Sequence, residues 1–317
     1  MFFLKYFVKI MMNKNTKLML FLAGICLTPV AQADENLMAY TYTADTVPKG
    51  EVEFNSTVTN RWDKGRGHYY GADFDFELEY GITDKFQISG YLNAQHVNHK
   101  GAFPFSQAEG PNNTDALYPD RKQTRWNGGK LQIKYNFTSP YTDWAGFSVF
   151  VEPQFRKQFK VDGSDTNQKE VELGFIFQKN FIDDKLVLAY NLILSQEKRI
   201  LEEADDFVEN EREMNNLIGI TYRFAPGWYA GMETRHHMDV LQDAEGKYQK
   251  NQYSWYVGPT IHYANQKWRI TAGYMRQIKG NPEYAAGVLP VIGGVGSNLH
   301  LDENEKNELR VRVGYDF

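Results

Sequence analysis

From residue 51 onward the chain alternates polar and apolar positions with a period of two. Val52, Phe54, Val58 and Trp62 interleave with Glu51, Glu53, Asn55, Thr57, Thr59 and Arg61. Tyr70, Ala72, Phe74, Phe76, Leu78 and Tyr80 then alternate with Asp73, Asp75, Glu77 and Glu79. Side chains two apart share one face of a strand, whereas a helix would scatter these acids around its circumference. Ten further stretches repeat the pattern, over 86–96, 126–137, 144–159, 169–179, 185–197, 212–224, 228–238, 252–263, 268–279 and 305–317. The sequence therefore predicts twelve strands, within a range of ten to fourteen because 285–296 holds a further apolar run.

The connections add a second regularity. Short ones at 81–85, 138–143, 180–184, 225–227 and 264–267 alternate with mostly long polar ones, notably 97–125, 198–211, 239–251 and 280–304. An all-β, closed antiparallel transmembrane β-barrel is built this way, with short periplasmic turns and long extracellular loops. Only closure satisfies every backbone group in lipid, and an even strand count returns both ends to the short-turn side. Aromatic pairs flank the short turns: Tyr80 and Phe86, Phe137 and Trp144, Phe177 and Phe181, Phe224 and Trp228, Tyr263 and Trp268. They predict one interfacial girdle, and Trp62, Tyr70, Trp126, Phe155, Tyr253, Trp255 and Tyr274 predict the other.

The N-terminus supplies the route to such a membrane. Lys14 and Lys17 precede an apolar run over 18–27 and an Ala31-Gln32-Ala33 box, the three regions of a signal peptide cleaved after Ala33. The run is too short to span a bilayer of about 30 Å. Domain boundaries follow: 1–33 signal peptide, 34–50 a short periplasmic N-terminal segment or a piece tucked into the lumen, and 51–317 the barrel. Cleavage removes the single cysteine, Cys26, so no thiol or Cys-based metal chemistry remains. It also removes four lysines and no acid, leaving 284 residues and moving the formal charge from −5 to −9. That charge argues against nucleic acid as a partner.

The signal peptide, the Glu79-Tyr80-Gly81-Ile82-Thr83-Asp84-Lys85-Phe86 hairpin and the closing Val311-Arg312-Val313-Gly314-Tyr315-Asp316-Phe317 resemble those of Gram-negative outer-membrane β-barrel proteins. The segment 43–50 resembles the lead-in of porin-like barrels of unassigned substrate. The resemblance implies that Phe317, Tyr315, Val313 and Val311 form the signal read by the barrel assembly machinery. It implies an outer-membrane location, with lipid and lipopolysaccharide as neighbours, and leaves the substrate open.

Candidate chemistry lies on the inward face. Acids fall at Glu51, Glu53, Asp73, Asp75, Glu77, Glu79, Glu152, Glu170, Glu172, Glu213, Glu233, Glu308 and Asp316, and bases at Arg61, Lys130, Lys134, Arg156, Arg223, Arg235, Arg269, Arg310 and Arg312. Twelve strands stand between the filled eight-stranded barrels and the open sixteen-stranded ones. A narrow channel for passive diffusion of small hydrophilic solutes is expected, in a monomer, with no cofactor and no metal. Arg310, Arg312, Arg269, Arg223, Arg235, Arg156, Lys130 and Lys134 would meet an anionic solute, opposed by Asp73, Asp75, Glu77, Glu79, Glu51 and Glu53, so the preferred sign stays open. Small inward residues such as Gly146, Ser148, Gly219, Thr260, Thr271 and Gly273 would leave the space.

Two alternatives stand beside the channel. In a plugged structural or adhesive barrel the acids and bases pair and fill the interior. A lipid-modifying enzyme needs a serine at an alternate position to a histidine, and none of the seven histidines has a serine two residues away. The acidic run over 202–213 is expected to be a solvated loop, and Asp162-Gly163-Ser164-Asp165 a turn.

Overall fold

A computed structural model describes residues 36–64, 68–100, 120–202, 207–243, 245–282, 298–301 and 303–317. The strands are β1 (Val52–Trp62), β2 (His68–Thr83), β3 (Phe86–Lys100), β4 (Arg121–Thr138), β5 (Gly146–Gln158) and β6 (Asp165–Phe181). They continue with β7 (Leu186–Leu201), β8 (Phe207–Ala225), β9 (Trp228–Gln242), β10 (Tyr248–Ala264), β11 (Trp268–Pro282) and β12 (Asn307–Asp316). Each pairs antiparallel with its neighbour in sequence, and β12 closes the barrel against β1 with Val58 opposite Val311 and Phe54 opposite Tyr315. All twelve expected strands are present.

The two faces sort as the alternation requires. Glu53, Asn55, Thr57, Thr59 and Arg61 of β1 are buried inside, and so are Gln87, Ser89, Asn93 and Gln95 of β3. Leu78, Leu92, Leu131, Ile218 and Ile261 are exposed on the outer face, where lipid covers them. At the short-turn rim ring contacts run from Phe86 through Tyr135, Phe137, Phe147 and Phe177 to Tyr190, and again from Phe224 through Trp228 to Tyr263. Trp268, Tyr315 and Phe317 continue this girdle, with Phe317 76% exposed. At the opposite rim Trp62 meets Tyr274, Phe76 meets Trp126, and Trp255 stacks on His236 with centroids 4.4 Å apart.

The long loops differ from expectation. Strands β7 and β8 pair as far as Leu201 and Phe207, and β9 and β10 as far as Gln242 and Tyr248, leaving five-residue connections where 198–211 and 239–251 were read as loops. A ladder outside the membrane needs no apolar outer face, so the hydrophobic signal stops before the pairing does. The acidic run is corrected with it: Glu209 and Glu211 stand on β8, not in a loop, on the same strand as Glu213. The further apolar run at 285–296 and most of the loop at 97–125 lie outside the described residues.

Residues 36–50, before β1, lie against the barrel interior rather than beyond it. Asn36 to Val47 are buried, apart from a half-buried Tyr42. Lys49 forms a parallel bridge to Gly81, and the Gly50 amide donates to Gly81 O at 2.8 Å, which ties the segment to the β2–β3 rim.

Candidate functional site

The short-turn half of the lumen is filled by that segment. Glu233 of β9 accepts the amides of Ala39, Tyr40 and Thr41 at 2.9, 2.9 and 2.7 Å. Asn191 of β7 clamps Tyr42, accepting its amide at 2.7 Å and donating to its carbonyl at 2.9 Å. Gln178 and Gln87 accept the amides of Ala44 and Val47 at 2.7 and 2.8 Å. Asn136 donates to Ala44 O at 2.6 Å, Lys134 to Thr43 O at 3.2 Å and also to Asp45 O, and Thr271 to Asn36 O at 2.8 Å. The small inward residues that suggested a conduit make room for this chain. A Cβ on Gly219 would lie 2.3 Å from Met38 Sδ, one on Gly273 2.4 Å from Ala39 Cβ, and one on Gly146 3.0 Å from Ala44 Cβ.

Above the segment the lumen holds a chamber of about 260 Å³. Tyr40 and Tyr42 line it from below, and Arg310 lies 4.3 Å from the Tyr40 ring centre with Arg235 at 5.7 Å on the same ring. At the outer mouth the β5–β6 turn folds inward. Asp162 Oδ1 accepts the Ser164 amide at 2.9 Å, the turn chemistry expected there. The Lys160 carbonyl accepts from Gln95 at 3.0 Å and from Arg61 at 3.3 Å, and His99 bonds Asp162 O at 3.1 Å. From the other side Glu305, before β12, lies 3.8 Å from both Arg61 and Lys64. Burial pushes the Lys64 amine down to about 8 and raises the Glu305 carboxyl, the latter helped by Glu308.

Eleven carboxylates line the chamber against six Lys and Arg side chains. The cations are largely committed: Lys130 pairs with Glu152 at 3.3 Å, Arg235 with Glu308, and Arg199 with Glu197, Glu211 and Glu209 at 2.5, 2.6 and 3.2 Å. Carboxylates crowd on β6–β9. Ligand oxygens of Glu170, Glu197 and Glu213 lie within 4.8 Å of one another, and Glu213, His237 and Asp239 approach each other equally closely. His237 Nε2 sits 2.8 Å from Asp239, and its Nδ1 is 2.8 Å from Asn215 Oδ1. These groups suit a cation, although acidic crowding alone assigns none.

The predicted site residues divide into three groups. Asp73, Asp75, Lys130, Arg156, Arg235 and Arg310 line the chamber. Lys134 and Arg312 belong to the filled half, Arg312 donating to Thr57 Oγ1 at 3.1 Å with its guanidinium 5.8 Å from the Tyr42 ring centre. Glu79 accepts from Asn55 at 2.5 Å and from Gln87 at 2.9 Å, Glu77 is buried nearby, and Arg269 pairs with Glu53 at 2.5 Å and Asp316 at 2.7 Å. Glu51 and Arg223 sit at the short-turn rim instead, Glu51 exposed ahead of β1 and Arg223 donating to Asp183 O at 3.5 Å. An inward register position at a strand end leaves the lumen. Sequence reasoning missed Glu197, Arg199, Glu211, Asp239 and the loop residues Lys160, Glu303 and Glu305. Continuing the alternation outward from Ser195, Glu213 and Arg235 exposes the first four, but nothing local marks a loop that folds inward.

This closed barrel, with aromatic girdles outside and a charged lumen inside, has the fold of the porin-like outer-membrane β-barrels. The chain belongs to the family of unknown function (DUF6662), which matches residues 30–317. No curated protein matches the sequence. The fold is similar to that of the COG4313 outer membrane channel from Pseudomonas putida F1, at 11% identity and a TM-score of 0.55, over 86% of this chain and 98% of that one. The NanC porin (8% identity, TM-score 0.45, 84% and 100%) and the KdgM porin (11%, 0.40, 84% and 99%) also match.

Proposed function

We propose that the protein is an outer-membrane channel for passive diffusion of small hydrophilic solutes, and that its chamber favours cations. The observation that carries this is the chamber of about 260 Å³ with eleven carboxylates against six Lys and Arg side chains. Opposed charge in a water-filled passage screens solutes by sign as well as size. Most of the arginines and lysines nominated for an anionic solute are engaged, Lys134, Arg310 and Arg312 on the N-terminal segment and Lys130 and Arg235 with carboxylates, while Arg156 stays in the chamber and donates to Gln154. Carboxylates of β6 and β8 are therefore left to set the sign. The chain reaches this place by export and cleavage after Ala33, and by recognition of the outward-facing Phe317, Tyr315, Val313 and Val311 by the assembly machinery. It works there as a monomer among lipid and lipopolysaccharide, without catalysis and without a cofactor. The test is single-channel recording of the refolded mature protein in a planar bilayer under a salt gradient. Discrete steps with a reversal potential of cation sign are expected, and silence from folded protein would return the barrel to a plugged structural or adhesive role.

A further inference from the structure

The contacts that hold residues 36–47 have an unusual character: they read main chain. Glu233, Asn191, Gln178 and Gln87 accept amides, while Asn136, Lys134, Ser148, Thr271 and Arg310 donate to carbonyls. The double bond from Asn191 to Tyr42 reproduces with a side-chain amide what a neighbouring strand would provide. Inward glycines at 146, 219 and 273 give the backbone its close approach. Two aromatic pegs, Tyr40 and Tyr42, rest against Arg310, Arg235 and Arg312. Together these make a groove for a bent stretch of main chain, three successive amides of which turn toward Glu233, inside a barrel whose own ladder is already complete without it.

The energetics separate segment from barrel. The strands are held by a closed ladder, whereas the segment is held by side-chain hydrogen bonds whose net worth is about 1 kcal/mol each, because water replaces them on release. The chain at Gly50 tethers it to β1, and such a tether supplies an effective concentration in the mM range. Building on the channel reading, we infer that the short-turn half of the lumen is a binding site for peptide main chain in this bent form, and that residues 36–47 occupy it as a tethered, displaceable plug that closes the conduit.

The mature chain lacks cysteine, so a lock is available. A Cβ on Gly219 would stand 3.1 Å from Thr41 Cβ, with the flexible Met38 thioether as its nearest obstacle. The double variant Thr41→Cys with Gly219→Cys is recorded oxidised and then reduced, the cross-link being confirmed by mass. Conductance is expected to fall at least tenfold on oxidation and to return on reduction. Equal conductance in the two states overturns the plug while leaving the channel standing. A second variant lacking residues 36–47 is recorded before and after a free peptide of those residues is added to the periplasmic side, with a scrambled peptide as control. Larger or more frequent openings and block by the native peptide alone are expected. Openings like those of the full chain, or no block at mM peptide, overturn the proposal. Anisotropy of the labelled peptide on the same variant separates the two readings: binding without any current removes the channel and keeps the peptide site, and absence of binding removes the site.

Discussion

The two halves of one lumen solve the same problem in different ways. Both are lined by charged and polar side chains on the inward face of the same strands. In the short-turn half those side chains are consumed by a second piece of chain, so Glu233, Asn191, Lys134 and Gln178 have main-chain partners. In the outer half, among the described residues, no chain enters between the Tyr40–Tyr42 floor and the inward-folded mouth, and charges face one another across about 260 Å³. Inward polarity alone therefore does not make a conduit; what fills it decides.

The contrast predicts that substitutions in the filled half act on stability and those in the chamber act on selectivity. The largest effect belongs to Arg269→Ala, which leaves Glu53 and Asp316 buried without their cation and is expected to cost about 3 to 5 kcal/mol in a urea or heat unfolding series. Next comes Lys134→Met, which strands the carbonyls of Thr43 and Asp45. A loss of about 2 kcal/mol is expected, with faster proteolysis of the N-terminal segment.

In the chamber, Glu170→Gln with Glu172→Gln and Glu213→Gln should move stability little or raise it, by relieving like-charge repulsion. The reversal potential should shift toward zero, and an unchanged potential would remove these carboxylates from selectivity. The smallest effect is at the mouth. Lys64, facing Arg61, Tyr69 and Glu305, is held near 8, below its usual 10.5, so it loses its charge as pH rises through about 8. Cation preference should rise over pH 7 to 9, and Lys64→Met should abolish that rise. Because the folded value is the lower one, the unfolded chain binds the extra proton between about 8 and 10.5, and stability should increase with pH across that window.

Much of the barrel was legible in the chain. Period-two alternation located all twelve strands, and Leu309, Val311, Val313 and Tyr315 against Arg310, Arg312 and Gly314 gave the closing strand its lipid face. Both girdles were legible from aromatics at strand ends. Less legible was the outer extension of β7 to β10, because paired polar strands in water carry no hydrophobic signal. Among the candidate residues, those in mid-strand face inward as read, while Glu51 and Arg223 failed because an alternating register does not say where a lumen ends.

The sequence by itself determined class, strand order, the two faces and the charge of the interior, since each depends on local alternation and on the rule that lipid tolerates only closed ladders. Only the tertiary structure decided that Gly146, Gly219 and Gly273 make room for Ala44, Met38 and Ala39 rather than for solute. It alone brought Glu233 to residues 39–41, 192 or more positions away in the chain, and folded the β5–β6 turn into the mouth. Those outcomes rest on which surfaces meet across the barrel, and no periodicity along a strand encodes its partner on the far wall.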